Sequence, residues 1–220
     1  MIGLKYFEHE REKSSRIENR LDRGEREIIT LFNVLNLYGN FFSKDSKEVR
    51  FLDLGCGDQH LKNSVIKRDM DYLGLDITDV NFECDKLPFE NDSIDIIVSL
   101  AVIEHIFNPD NFLTEILRVM KPGGILYITT PNWNYDYKAF YNDPTHVKPY
   151  TPSTLERILS MYGFSNPKTY PGLRCKSNWY YSGKYRFFKA NYLLPFRGDT
   201  KFVPSFLKGR STSIIAIASK

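Results

Sequence analysis

The strongest constraint on this chain is a rhythm of short, almost wholly apolar runs separated by helix-compatible segments. The runs are Val49–Leu54, Tyr72–Leu75, Ile94–Leu100 and Ile125–Thr130. Between the last two lies Pro109–Met120, in which Phe112, Leu113, Ile116, Leu117 and Met120 recur on a helical period. Lys121-Pro122-Gly123-Gly124 stops that helix, because proline cannot continue it and glycine supplies the cap. Strands this apolar, spaced by helices, are the mark of a parallel sheet covered on both faces. A further helix starts at Thr151-Pro152-Ser153 and runs to Tyr162, where Gly163 ends it and Phe164 opens a short strand. Ser213–Ala218 closes the chain as a strand apolar enough to pair inside the sheet.

Upstream, Glu8–Arg23 is a charged helical segment interrupted by Gly24. From Glu25, the positions Ile28, Ile29, Leu31, Phe32, Leu35 and Leu37 form a helical stripe that ends near Gly39-Asn40. A helix covering the edge of a sheet, a lid or a dimer arm would each look like this. At 220 residues the chain can bury one full core, and 42% apolar with 26% charged residues is a globular composition. No window reaches membrane-spanning length, and the opening MIGLKYFEHEREK turns charged after seven residues, without a signal-peptide core. Cys56, Cys84 and Cys175 fit neither a disulfide framework nor a paired metal pattern, so a reducing cytoplasm is the expected setting.

Asp53-Leu54-Gly55-Cys56-Gly57 sits where the first strand meets the following segment. Glycine there lets the backbone turn sharply and lets a ligand lie against it. Asp76 ends the next strand, where a carboxylate can accept hydrogen bonds from two ribose hydroxyls; the alternative is an ordinary turn residue.

These residues and those beyond them resemble the class I S-adenosylmethionine-dependent methyltransferases, near their small-molecule branch. The resemblance runs through VRFLDLGCG (49–57), YLGLDI (72–77), CDKLPFENDSIDIIVS (84–99), AVIEH (101–105), LRVMKPGGILYITTPN (117–132) and LERILSMYGF (155–164). It implies an α/β fold with a Rossmann-like, seven-stranded, mostly parallel sheet, helices on both faces and a basic aromatic insertion before the last strand. It also implies one domain over 1–220: a helical cover (1–45), a cofactor-binding core (49–170), an acceptor-side insertion (171–210) and a final strand (211–220). The cofactor implied is S-adenosylmethionine, with S-adenosylhomocysteine as product. By position, Asp53, Gly55 and Gly57 would cradle its methionine part, Asp76 its ribose, and Ile77 its adenine. Asp85 would accept from the adenine amino group, with Lys86 and Leu87 along the same edge, and Leu100 would pass beneath the methionine end. Gln59 departs from the family, which often has another glycine there, and His60 follows it.

Methyl transfer from a sulfonium is an in-line displacement in which alignment does much of the work. A hydroxyl nucleophile still benefits from a base near neutral pKa, for which histidine is suited. His9 lies in a charged segment, and His60 follows the glycine turn. His105, beside Glu104, follows the third strand on the edge where open α/β sheets bind ligands; it is a candidate base or a loop-fixing residue. His146, in the loop Asn142–Tyr150, is the preferred candidate, with Asp143 available to orient it and Lys148 and Tyr150 to hold an acceptor. The same loop could instead merely lead into the next helix. No metal-ligand cluster is expected. The segment PTHVKPYTPSTLERILSMYGF more loosely resembles methyltransferases of bacterial surface-polysaccharide and glycoconjugate biosynthesis, which implies oxygen methylation of a sugar hydroxyl.

Charge is divided unevenly. Residues 1–140 carry 17 Lys+Arg against 24 Asp+Glu, whereas residues 141–220 carry 13 against 3. Residues 171–210 alone hold nine Lys+Arg, one acid (Asp199) and ten aromatics, among them Trp179, Tyr180, Tyr181, Phe187 and Phe188. Three partners suit such a stretch, in this order: a phosphorylated or lipid-linked sugar acceptor, the inner membrane surface, and RNA. An ordinary cap with solvated cations is the fourth reading. RNA methylation and a non-catalytic cofactor-binding scaffold are the competing functions, and the oligomeric state stays open.

Overall fold

The computed structural model describes residues 20–38, 49–172, 196–197, 200, 202–204 and 207–220. His9, Cys175 and most of the 171–210 stretch, including its Trp179-Tyr180-Tyr181 and Phe187-Phe188 clusters, lie outside the described residues.

In chain order the elements are α1 (Arg20–Tyr38), β1 (Val49–Leu54), α2 (Lys62–Ile66), β2 (Met70–Leu75), β3 (Ile94–Leu100), α3 (Asp110–Val119) and β4 (Met120–Pro131). There follow the single turn α4 (Trp133–Asp136), α5 (Pro152–Met161), β5 (Ser165–Pro171), the short pair β6 (Phe196–Arg197) and β7 (Lys208–Arg210), and β8 (Ser213–Ser219). Thr151 caps α5 with a reciprocal capping box to Thr154, and proline occupies its first turn, as the sequence signal required.

The main sheet has the order β2-β1-β3-β4-β8-β5. Its first four strands are parallel, and β8 runs antiparallel between β4 and β5. The terminal strand thus pairs on both sides, as its apolarity demanded. The expected seven-stranded sheet is corrected to six strands among the described residues, β6 and β7 pairing apart from it. The link 76–93 is spent on local turns, with Asp79 N–H donating to Asp76 O and Asp85 N–H to Asn81 O. Another parallel strand there would need a crossover of a dozen or more residues on each side, and the link is too short.

Alternate residues of each strand face opposite layers. Leu52, Leu54, Ile97, Leu126, Ile128 and Ala216 pack with Phe112 and Leu113 of α3 and Leu155 and Leu159 of α5. Phe51, Ile96, Val98, Ile125, Tyr127 and Ile217 pack with Ile28, Leu31, Val34 and Leu35 of α1 and with Val65 of α2. Both faces are therefore covered. At the opposite end from the site, Asp95 braces the sheet: it accepts from Arg50 N–H at 2.9 Å and from Lys121 Nζ at 2.7 Å.

Gly24 does not interrupt the first helix. The helix runs through it, and a Cβ there would stand 2.0 Å from the carbonyl oxygen of His60. The glycine permits close approach of α1 to the loop after β1. Among the described residues, no helix is long and apolar enough to cross a membrane.

Candidate active site

The four parallel strands end at one edge, with Leu54, Leu75, Leu100 and Pro131 as their last residues. Such an edge is where open α/β sheets take ligands. Here it carries a cavity of about 290 Å3 whose walls include Asp53, Gly55, His60, Leu100, Ala101, Thr129, Thr130, Asp136 and Ser213. Three of the residues assigned to the cofactor from the sequence, Asp53, Gly55 and Leu100, thus share one cavity.

The glycine turn is tied to the end of β2, because Gly55 and Cys56 N–H both donate to Leu75 O at 2.7 and 3.1 Å. Gly55 has φ +75° and a Cβ on it would strike Val102 at 2.3 Å, so no side chain fits. Gly57 has φ +50° and nothing within 4 Å of its missing Cβ, which leaves a cradle for a ligand along the backbone. Gln59 adopts φ +56°, so the loop keeps a glycine-like conformation at a cost of about 1–2 kcal/mol, and its Oε1 accepts from Lys62 Nζ. The Cys56 thiol is pushed up to about 12 by burial and nearby carboxylates, which makes it inert as a nucleophile.

Asp53 is 2% exposed and accepts from the Tyr72 hydroxyl at 2.9 Å. Burial pushes its carboxyl up to about 7, with the Tyr72 hydrogen bond opposing and the charges of Asp76 and Asp58 adding to the rise. A desolvated carboxyl on a cavity wall suits a cationic group. The charged amino group of S-adenosylmethionine is such a partner, and with the open cradle at Gly57 these residues fit that cofactor.

Asp76, Ile77 and Asp85 stand on the same edge but outside the walls of this cavity. Asp76 Oδ1 accepts from Ile77 N–H, and Ile77 is 45% exposed, an apolar face available for a planar group. Asp85 caps its own loop through Asn81 N–H. Lys86 is exposed, whereas the Leu87 side chain is buried in the α3 layer and its N–H donates to Glu115 Oε2 at 2.8 Å. The loop is further latched by Arg118, which donates to Leu87 O, Phe89 O and Asn91 Oδ1, and by Asn111, which donates to Phe82 O and Asp85 O.

His105 and His146, 41 positions apart, meet with ring centroids 4.8 Å apart. Thr145 gives its hydroxyl proton to Asp143 Oδ1 at 2.6 Å, so at His105 Nδ1 it can only accept. Nδ1 of His105 therefore carries the proton, shared with Thr145 Oγ1 and the Thr145 carbonyl at 3.2 Å, and Nε2 carries the lone pair. Burial and the neighbouring His146 lower the His105 pKa, which keeps it neutral. His146 Nδ1 lies 2.7 Å from Phe140 O and donates to it, and its Nε2 lies 3.7 Å from Asp143 Oδ2. Asp143 thus reaches both imidazoles, directly or through Thr145.

Glu104, fully buried, completes the group. Its Oε2 accepts from Thr130 Oγ1 at 3.0 Å, Oε1 has no hydrogen-bond partner, and burial pushes the carboxyl up to about 8. Its carbonyl accepts from Val147 and Lys148 N–H and so pins the His146 loop to the end of β3. Tyr150, considered for the acceptor, is instead 3% exposed in the core. Glu27, Thr130 and Asp136, absent from the sequence reading, reach the cavity from α1, β4 and α4; spacing carried no signal of this, because three separate elements supply them.

A family model described as a methyltransferase domain matches residues 19–168. A ubiquinone biosynthesis O-methyltransferase of Sinorhizobium fredii is 27% identical over 39% of this chain and 42% of its own length. The chain spans about half the length, or less, of the curated relatives it matches first. Among solved structures, a SAM-dependent methyltransferase from Archaeoglobus fulgidus superposes with a TM-score of 0.57 at 20% identity, covering 89% of this chain and 94% of that one. The phosphoethanolamine N-methyltransferase 2 of Haemonchus contortus, solved with S-adenosylhomocysteine, gives 0.55 at 19% identity, covering 86% and 52%.

Proposed function

The chain belongs to the S-adenosylmethionine-dependent methyltransferase family, and on that premise we propose that it methylates a hydroxyl group of a small polar acceptor, a sugar or glycoconjugate precursor. The observation that carries the reading is the position of the imidazole pair: Glu104, which pins the His146 loop, is bonded to Thr130 of the cavity wall.

When bound, the cofactor supplies a methyl group already activated on a sulfonium. The chain's part is to hold and align. Asp53 and the Gly55–Gly57 turn would hold the methionine end, Asp76 and Ile77 the nucleoside end. A hydroxyl that accepted this methyl group would have to lose its proton. His105 and His146 prepare that oxygen, each with an Nε2 lone pair maintained by the hydrogen bond at Nδ1. The cavity walls also present Thr129, Thr130, Thr212, Ser213, Glu27 and Asp136. Hydroxyls and carboxylates in this number suit a polyol more than an apolar ring. The O-methyltransferase relatives support oxygen as the nucleophile.

Purified protein with methyl-labelled S-adenosylmethionine, offered nucleotide-sugars, lipid-linked sugars and quinone precursors, tests this. Label on a sugar oxygen is expected. Label confined to the quinone precursors would overturn the sugar acceptor, and label on nitrogen or in added RNA would overturn the hydroxyl reading.

A further inference from the structure

The geometry points to Glu104, His105 and His146 as a site for a divalent transition-metal ion, with two imidazoles and one carboxylate as its protein ligands. One ligand atom from each residue lies within 4.8 Å of the other two. Bonds to a first-row ion run about 2.0–2.2 Å, so the three atoms need draw together by only about an ångström to share one.

Three independent features favour a cation there. Glu104 Oε1 is a buried carboxylate oxygen with no hydrogen-bond partner, whereas Oε2 is held by Thr130. A buried polar atom left unmatched is costly, and a metal ion is one of the few groups that repays it. Each imidazole has its Nδ1–H committed to a main-chain carbonyl, Thr145 O for His105 and Phe140 O for His146, which is how metal-binding histidines are oriented and their lone pairs kept on Nε2. Finally, Asp143 lies beside the trio, its Oδ2 3.7 Å from His146 Nε2 and its Oδ1 joined to His105 Nδ1 through Thr145 Oγ1, a negative charge next to the ligand set.

Two nitrogens and one oxygen suit Zn2+, Mn2+, Fe2+ or Co2+ and not the all-oxygen preference of Mg2+ or Ca2+. Three protein ligands leave positions open. In its catalytic use, which rests on the hydroxyl-methylation reading, the acceptor oxygen would fill one of them. The ion would then lower the hydroxyl pKa and the proton would leave to water, with the imidazoles as ligands instead of bases.

Metal binding is measured directly, apart from turnover. Chelator-treated protein is dialysed against Zn2+ or Mn2+ and its metal content counted, and Co2+ is added to record visible absorption. One ion per chain is expected. Glu104→Gln and His105→Ala are each expected to weaken binding by more than about 100-fold, beyond the cost of disturbing a supporting residue. Glu90→Gln, exposed and outside both the trio and the cavity walls, should leave the count unchanged, and cofactor binding by each variant confirms that it has folded. Less than about a tenth of an ion per chain, or binding that persists in both ligand variants, overturns the site. Turnover unchanged by chelation in metal-free protein would overturn it too while leaving methyl transfer intact. Metal bound without transfer to any hydroxyl would instead overturn the proposed function and keep the site.

Discussion

Tyr72 donates its hydroxyl to Asp53 across adjacent strands, at 2.9 Å, and so holds a buried carboxyl against the cavity that the glycine turn opens. Burial and the nearby charge of Asp53 hold the Tyr72 phenol well above its ordinary pKa, so it remains a donor. Asp53, pushed up to about 7, is half protonated near neutrality. The amino group of the cofactor favours the ionised form. Affinity for S-adenosylmethionine is therefore expected to rise about fivefold between pH 6 and pH 7, as the ionised fraction grows and before the amino group itself loses its proton. Calorimetric titration across that range measures it, and Asp53→Asn should both weaken binding and flatten the profile.

The same residue has the opposite effect on the ligand-free fold. Its folded pKa lies above the unfolded value, so the native state holds the proton longer, and stability falls as pH rises from about 4 to 7. The amide introduced by Asp53→Asn carries no charge to bury. At pH 8 that variant is expected to unfold at higher denaturant concentration than the parent, by a few kcal/mol at most.

Gly24→Ala sets helix propensity against packing. Alanine favours a helix interior by about 1 kcal/mol. Its Cβ would meet the His60 carbonyl at 2.0 Å, and overpacking of this kind costs roughly 1–3 kcal/mol. Packing should win, with a net loss of up to about 2 kcal/mol in urea unfolding. A gain would mean that α1 and the loop after β1 are further apart.

Arg118→Ala removes the donors that bind Leu87 O, Phe89 O and Asn91 Oδ1, and leaves Glu115 and Asn111 to hold the loop that carries Asp85. The expected result is a cofactor Kd raised several-fold with kcat little changed, because the loop contributes binding and not proton handling. Equilibrium binding and saturation kinetics separate the two.

Substitution His146→Ala should leave cofactor affinity within about twofold, since its imidazole lies outside the cavity walls. Turnover is expected to fall by about 10²–10⁴, the usual worth of a positioned proton-handling group. A parallel loss of affinity at unchanged turnover would remove His146 from the chemistry.

Local signals made most of the fold legible. The apolar runs located β1 and β3 to the residue and the Thr151-Pro152 signal marked the start of α5, whereas α3 ends at Val119 with Met120 as its cap and Lys121–Gly124 lies within β4 instead of capping the helix. The glycine turn pointed to Asp53 and Gly55, which line the cavity, whereas Asp76 stands outside its walls. What stayed hidden depends on contacts across the chain. Gly24 looked like a break because its reason, the His60 carbonyl, comes from another element. The count of six strands in the main sheet among the described residues, not seven, follows from local turns in the link 76–93 that have no apolar signature. The Glu104–His105–His146 group forms because the Glu104 carbonyl captures the N–H groups of Val147 and Lys148. Nothing in the spacing of those residues announces that contact.

The most direct test of the account is transfer of label from methyl-labelled S-adenosylmethionine into a total host extract, by the parent protein and by His146→Ala. Soluble metabolites, lipids, RNA and protein would be separated afterwards. Label in nucleotide-sugars or glycolipids, at least about 100-fold lower with the variant, is the predicted result. Cofactor binding with no label in any fraction would contradict catalysis and favour a scaffold, and label in RNA would contradict the small-molecule acceptor.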